Sequence, residues 1–344
     1  MRVLHLTLAA DAGGLSRYIV DLCVAMRDRG VESVVAGDAG AWDWAFAEAG
    51  VEYVRVPLKA GVGGLLKSRR VLKGRQVDLI HTHYRRATLL GRLLRTGAPL
   101  LYTLHLSHLP VGGWRRVLSD FGDHSHVPSR DGYDWLTRDL RVPADRVSLI
   151  PHGVDTGRFT PGDTRTQFDL PPGATVACYV GRLDEPKNET WCLDALEGSD
   201  ACLLVAGEGP REGAFREQVD RRGLAGRVTM LGHADPLAVY RAADVLLLPS
   251  GREGFSLVCA EAMAVGVPHV RTRTSGHTEL TVAGVTGWAT AIERRAWVDA
   301  AKAALADRRK LRAMAGDCVR HVVGGFTFER QVGETLGLYE RLAG

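Results

Sequence analysis

No run of about 18 uninterrupted apolar residues occurs in the chain, so no segment reads as a bilayer-spanning helix. No Cys-x-x-Cys pair occurs either. The six cysteines (Cys23, Cys178, Cys192, Cys202, Cys259 and Cys318) are scattered. Most stand among Val, Leu and Ala, where a thiol behaves as a small hydrophobe. That usage suits a reducing, cytoplasmic compartment better than a disulfide scaffold. Nowhere is there an Asp-x-Asp pair to hold a divalent cation on a nucleotide diphosphate. Short repeats and low-complexity tracts are missing too, which excludes solenoid and fibrous classes. Met1–Ala10 ends in small residues like a signal peptide, but His5 and Thr7 interrupt its apolar run, so it is expected to be a buried first strand.

At 344 residues, 45% hydrophobic and 24% charged, the chain has ordinary globular composition and length enough for two domains. The net charge of +4 is uneven. Residues 1–160 hold 22 Lys+Arg against 16 Asp+Glu, a balance of +6, and the remainder holds 22 against 24, or −2. The two halves are thus expected to meet different partners, with nucleic acid not among them.

The first half alternates strand and helix signals. Apolar runs at Val3–Leu8, Val31–Ala36, Val77–His81, Leu100–Leu104 and Val147–Ile150 are separated by amphipathic stretches such as Ser16–Arg29. Residues 161–173, rich in Pro, Gly, Asp and Thr, read as a linker. A second series follows at Thr175–Val180, Ala201–Ala206, Val228–Leu231 and Val245–Leu248, and the chain is helical from Glu293 on. The expectation is an α/β protein of two Rossmann-like domains, 1–160 and 174–326, with a last helix in 327–344 packing back on the first. Repeated β-α units make parallel sheets, and ligands bind outside the C-terminal ends of their strands.

Four groups of residues at such ends could carry chemistry. In Pro249-Ser250-Gly251-Arg252-Glu253-Gly254-Phe255-Ser256-Leu257-Val258-Cys259-Ala260-Glu261 a buried strand runs through a turn into a helix. The N–H groups and positive end of that helix suit a diphosphate. Glu253 precedes the helix and Glu261 is expected about two turns inside it, a carboxylate in an apolar setting that needs a partner. Arg182 and Lys187 lie on the loop after the second half's first strand, where two cations could neutralise a leaving diphosphate. Gly13 and Gly14 allow close backbone approach after the first strand, without the full Gly-x-Gly-x-x-Gly pattern. His105 follows a buried strand and is expected to hydrogen-bond in the cleft. His81, His83, His108, His124 and His126 read as strand ends rather than metal ligands, so no metal is expected.

Together these residues resemble the family 4 retaining glycosyltransferases of the GT-B fold, two Rossmann-like domains facing across a cleft. Ile150-Pro151-His152-Gly153-Val154-Asp155-Thr156-Gly157-Arg158-Phe159 is similar to that family's segment before the linker, and Glu253 and Glu261 stand at its glutamate positions. The resemblance implies that Arg182 and Lys187 bind the diphosphate, helped by Gly13, Gly14 and backbone around Gly254, Phe255, Ser256 and Leu257. Glu253 would hold donor-sugar hydroxyls, Glu261 the ribose, and the backbone at Ala234 the base. His105 would lie beside the transferred sugar and the acceptor. The donor implied is a UDP- or GDP-linked sugar, and the acceptor is small or lipid-linked. Two alternatives are a non-hydrolysing sugar-nucleotide epimerase and a catalytically degenerate sugar-nucleotide-binding protein. The chain departs from the family at His152 and Asn188, and with Arg271, Arg273 and His277 in a segment that is usually apolar and then Gly-Gly. Finally, Gly64–Arg75 reads as a basic amphipathic helix with Leu65, Leu66 and Leu72 on one side, and Trp114 stands beside Arg115 and Arg116. Both suit peripheral contact with an anionic inner membrane face.

Overall fold

The computed structural model describes residues 1–10, 13–108 and 119–344; the tryptophan-arginine segment Val111–Leu118 therefore lies outside the described residues. The chain divides into two compact units, Met1–Pro151 with Gln331–Gly344, and His152–Arg330. The division falls at Pro151, ahead of residues 161–173. Val154 and Phe159 already belong to the second unit's core, and Val154 bridges to Thr327.

The first unit is built on a parallel sheet of β1 (Arg2–Ala9), β2 (Glu32–Asp38), β3 (Glu52–Arg55), β4 (Leu79–Thr82), β5 (Leu100–Thr103), β6 (His124–Val127) and β7 (Val147–Leu149). Their order is β3-β2-β1-β4-β5-β6-β7. Helix Gly14–Arg27 buries Tyr18, Ile19, Leu22, Cys23 and Met26, the single stripe a 3.6-residue repeat produces. Leu4, Leu6, Val34, Ala36 and Ile80 meet Leu90 of helix Arg85–Leu94 in one cluster. The helix Phe328–Ala343 gives this unit its buried Val332, Thr335, Leu338 and Tyr339.

The second unit repeats the plan with β8 (Val176–Val180), β9 (Cys202–Ala206), β10 (Val228–Gly232), β11 (Val245–Leu248), β12 (His269–Thr272) and β13 (Gly287–Thr290), ordered β10-β9-β8-β11-β12-β13. Val176, Cys178, Leu246 and Leu248 enter one core, whereas Ala177, Tyr179, Val245 and Leu247 enter another. Alternate residues thus face opposite layers that are both apolar, which is why these strands read as unbroken hydrophobic runs. Both sheets have the doubly wound order of Rossmann-like folds.

The basic helix is corrected in detail. It spans Gly61–Leu72 and buries Gly64, Ser68 and Leu72, while Leu65 packs partly on the core. Leu66 does not share their side; it is exposed with Val62 and Val71. Arg69 donates to the Leu93 carbonyl at 2.7 Å, which ties it to the fold. No described helix is long and apolar enough to cross a membrane.

Candidate functional site

In the second sheet the strand order reverses between β8 and β11, the kind of switch point beside which doubly wound sheets bind their ligands. The loop after β8 carries Arg182 and Lys187, and the loop after β11 carries Glu253. They meet: Lys187 Nζ donates to Glu253 Oε1 at 2.8 Å, with side chains only 24% and 11% exposed. Two further bonds lock the loops together. Gly251 N–H donates to the Pro186 carbonyl at 2.7 Å, and Asn188 Nδ2 donates to the Pro249 carbonyl at 2.9 Å. Asn188 sits at φ 53°. This is left-handed backbone that Gly and Asn tolerate best, which explains why Asn can stand after the lysine. The β8 and β9 loops also crowd, since a Cβ on Gly207 would lie 1.9 Å from the Gly181 carbonyl oxygen.

Past Glu253 the chain turns through Gly254 and buried Phe255 into Ser256, at φ 75°, and helix Leu257–Ala264 begins. No side chain caps that start and its first turn holds no acid, so its free N–H groups and positive end have the chemistry to receive an anion. Glu261 lies a little over one turn inside the helix rather than two. The partner its apolar setting demands includes Tyr240, whose hydroxyl donates to Glu261 Oε2 at 2.9 Å. Burial and the Glu261 charge hold the Tyr240 phenol well above its ordinary pKa, so it stays a donor. Ala234 follows β10, just ahead of the helix that carries Tyr240, Pro236–Ala242. Arg182 is largely exposed, 2.9 Å from Asp184.

Arg271, left without an account by the sequence, is fully buried in β12. Its Nη2 donates to the Ser275 carbonyl at 2.9 Å and to Thr274 Oγ1 at 3.1 Å, and its Nε donates to the Thr272 carbonyl at 3.3 Å. Among the described residues no carboxylate pairs with it, and Nη1 is buried with no partner. The guanidinium therefore staples the Thr272–Ser275 turn. That turn presses on the Phe255 backbone: a Cβ on Gly276, at φ 80°, would lie 2.2 Å from the Phe255 oxygen. Thr272 Oγ1 also donates to the Ser250 carbonyl. Arg273 is exposed and His277 Nδ1 lies 3.0 Å from the Thr274 carbonyl. His152, buried, meets the Phe255 ring edge-on at 5.7 Å.

In the first unit the order reverses between β1 and β4. Gly13, at φ 152°, and Gly14 open the helix after β1, and a Cβ on either would meet nothing within 4 Å. His105 follows β5, part-buried, with Nε2 3.0 Å from His83 Nδ1. The other histidines form a row across the sheet rather than isolated strand ends. His83 Nε2 lies 3.2 Å from His5 Nδ1. His81 bonds Tyr339 at 2.7 Å and Thr103 at 2.6 Å, and Thr103 reaches His126 at 3.0 Å. Burial lowers every pKa in the row, to about 3 at His5 and His105 and about 4 at His126. His5, His81 and His83 bring one nitrogen each within 4.8 Å, the one cluster with metal-holding geometry among the described residues. His108, by contrast, pairs with Asp131 at 2.9 Å.

A switch point carrying a part-buried Lys–Glu pair, in a chain of two Rossmann-like units, defines a class, and known proteins agree. Residues 12–158 match the model described as Glycosyltransferase Family 4, and residues 163–321 match Glycosyl transferases group 1. The D-inositol 3-phosphate glycosyltransferase of Actinosynnema mirum is 30% identical, over 96% of this chain and 92% of that protein. The Rhodococcus opacus protein of the same name is 28% identical, over 96% and 86%. Anabaena Alr3699/HepE, solved with UDP and glucose, superposes with TM-score 0.86 at 21% identity, covering 99% and 100% of the chains. Sucrose-phosphate synthase from Thermosynechococcus elongatus gives TM-score 0.86 at 22% identity, covering 99% and 98%. The chain belongs to the family 4 glycosyltransferases of the GT-B fold, and is an enzyme of sugar transfer.

Proposed function

We propose that the chain is a retaining, metal-independent transferase that moves a sugar from a UDP- or GDP-linked donor to an acceptor hydroxyl. The observation that carries this is the Lys187–Glu253 pair, 2.8 Å apart, at the β8/β11 switch point beside an uncapped helix start. Lys187 and Arg182 neutralise the leaving diphosphate, together with N–H groups around Gly254, Phe255, Ser256 and Leu257, and the family resemblance assigns Gly13 and Gly14 to the same group. Breaking a glycosyl–phosphate bond is mainly a matter of stabilising that departing charge, and these groups supply positive charge without a metal. Glu253 holds sugar hydroxyls, Glu261 braced by Tyr240 holds the ribose, and backbone at Ala234 meets the base. His105 stands at the sugar, and the acceptor enters on the face the diphosphate leaves. The protein supplies positioning and electrostatics rather than a nucleophile.

A screen of UDP-, GDP-, ADP- and TDP-sugars for thermal stabilisation tests the reading. Ligand at 100 times Kd stabilises the native state by about 2.7 kcal/mol, so a true donor is readily seen. A UDP- or GDP-sugar is expected to raise Tm, and Lys187→Ala to abolish the rise. Stabilisation by none of them removes the reading.

The relatives' names favour a small soluble acceptor. A lipid-linked one is favoured by a different observation: Val62, Leu66 and Val71 are 75%, 58% and 52% exposed on helix Gly61–Leu72, interleaved with exposed Lys67 and Arg70.

A further inference from the structure

His5, His83 and His105 form a line running from the interior of the first sheet toward its C-terminal edge. His5 lies within β1 with no exposed surface, and His83 follows β4 at 2% exposure. His105 is part-buried at the end of β5. His5 Nδ1 is 3.2 Å from His83 Nε2, and His83 Nδ1 is 3.0 Å from His105 Nε2. The stacked rings of His5 and His83 are 6° from parallel, and Tyr18 meets both His83 and His105 edge-on. In such a file each imidazole touches the next through opposite nitrogens.

Neutral imidazole has one N–H and one bare nitrogen, so each N···N contact must pair a donor with an acceptor. The three rings then share one tautomer. If all carry the proton on Nε2, the bonds run inward and His5 Nε2–H is the last donor. If all carry it on Nδ1, the bonds run outward from His5 to His83 to His105, and His5 Nε2 is a bare acceptor. His5 Nε2 is buried and has no partner. A buried N–H without an acceptor is the rarer and costlier fault, so the outward arrangement is favoured. It puts a proton on His105 Nδ1.

We propose that His83, backed by His5, is a positioning residue that fixes His105 as its Nδ1–H tautomer, so that His105 serves sugar transfer as a hydrogen-bond donor rather than as a base. This rests on the reading of His105 as a residue at the transferred sugar. A donor suits a sugar or acceptor oxygen, and a neighbour that sets the tautomer works through His105 without touching substrate. A metal held by His5, His81 and His83 would need the same nitrogens. It would also displace the bonds by which both ring nitrogens of His81 and of His83 are engaged.

Nitrogen-15 NMR of the histidine side chains in the intact wild-type protein reads the tautomers directly. The expected result is Nδ1–H at His5, His83 and His105 together; Nε2–H at His105 overturns the proposal. Kinetics give a second readout. His83→Phe is expected to lower kcat about 10–100-fold, the usual size of effects from partners that orient an active group, with donor KM little changed. His83→Asn, whose amide N–H stands near the place of Nδ1–H, is expected to recover most of the loss. Equal damage by Phe and Asn, with kcat and KM moving together, marks a packing role and overturns it, as does stoichiometric Zn²⁺ uptake lost in His5→Ala. His105→Phe separates the two levels. If that variant turns over normally, the reading of the site fails first. If it is impaired while His83→Phe is not, only the relay fails.

Discussion

Lys187 and Glu253 neutralise each other at 2.8 Å while both are largely withdrawn from water. Removing one partner leaves the other charge partly buried and uncompensated, and on the proposed reading it removes a contact to the departing diphosphate at Lys187 or to the sugar hydroxyls at Glu253. Glu253→Gln and Lys187→Ala are each expected to lower turnover by about 10²–10³, the usual cost of one transition-state electrostatic contact. The fold should persist, since the loops remain tied by the Gly251–Pro186 and Asn188–Pro249 bonds. Initial rates with circular dichroism as a control decide the matter, and near-wild-type turnover in either variant removes that residue from the site. Chelation probes the same charges. On the proposed reading the cations and helix start supply the positive field, so activity is expected to survive exhaustive EDTA treatment. Loss on chelation that Mg²⁺ or Mn²⁺ restores would transfer the role to a metal.

β12 and the turn after it form a support for the Phe255 backbone, with Arg271 as the staple. Arg271→Met would keep the bulk but remove the guanidinium bonds to the Ser275 carbonyl and Thr274 Oγ1 that hold the turn, a hydrogen bond from a charged group being worth about 1.5–3 kcal/mol. Urea denaturation should show a loss of that order, and donor KM should rise because Phe255 is released; an unchanged midpoint would deny the staple. The histidine row in β1, β4 and β6 gives a second test. The folded values, near 3 for His5 and 4 for His126, lie below the unfolded value of 6.5. Above pH 6.5 neither state holds these protons. As pH falls below it, the unfolded chain takes up protons that the folded one refuses, so stability drops, by up to about 1.4 kcal/mol per fully buried histidine per pH unit. Tm is expected to fall steeply from pH 6.5 to 4.5, and His5→Leu to flatten that slope; a flat profile contradicts it. These buried polar residues also explain what the sequence hid. β2, β8, β9 and β11 are legible as apolar runs, and β1 as a run of leucines on one face with His5 and Thr7 buried on the other; the switch-point loops that follow β8 and β11 were legible too. β6 (His-Ser-His-Val) and β12 (His-Val-Arg-Thr) carry side chains that satisfy one another only after the strands assemble, so no local pattern marks them. β3, with two exposed residues of four, and the short β13 lack the two-sided burial that writes a run.

Over the whole molecule the first unit's excess of positive charge meets exposed apolar side chains on helix Gly61–Leu72, with Val62 and Leu66 one turn apart on one side and Val71 round the helix from them. If the acceptor is lipid-linked, the protein should co-sediment with anionic vesicles at low salt. Binding should weaken as salt rises and when Lys67, Arg70 and Lys73 are neutralised, each basic residue near the surface being worth about 1 kcal/mol. Protein that stays in the supernatant at low salt returns the reading to a soluble acceptor and a solvated helix.

The path of the backbone between the two units sets an order of events during synthesis. The second unit is one unbroken stretch, His152–Arg330, inserted into the first, whose remaining piece is Gln331–Gly344. A nascent chain therefore finishes the inserted body while the earlier-made sheet still lacks a covering helix. His81 has no Tyr339 hydroxyl to bind until residue 339 emerges. At about 5–20 residues per second the sheet must wait on the order of ten seconds or more, with apolar surface open to capture by chaperones. The part made first is thus the part completed last, and removing the final 14 residues would damage the beginning of the protein rather than its middle.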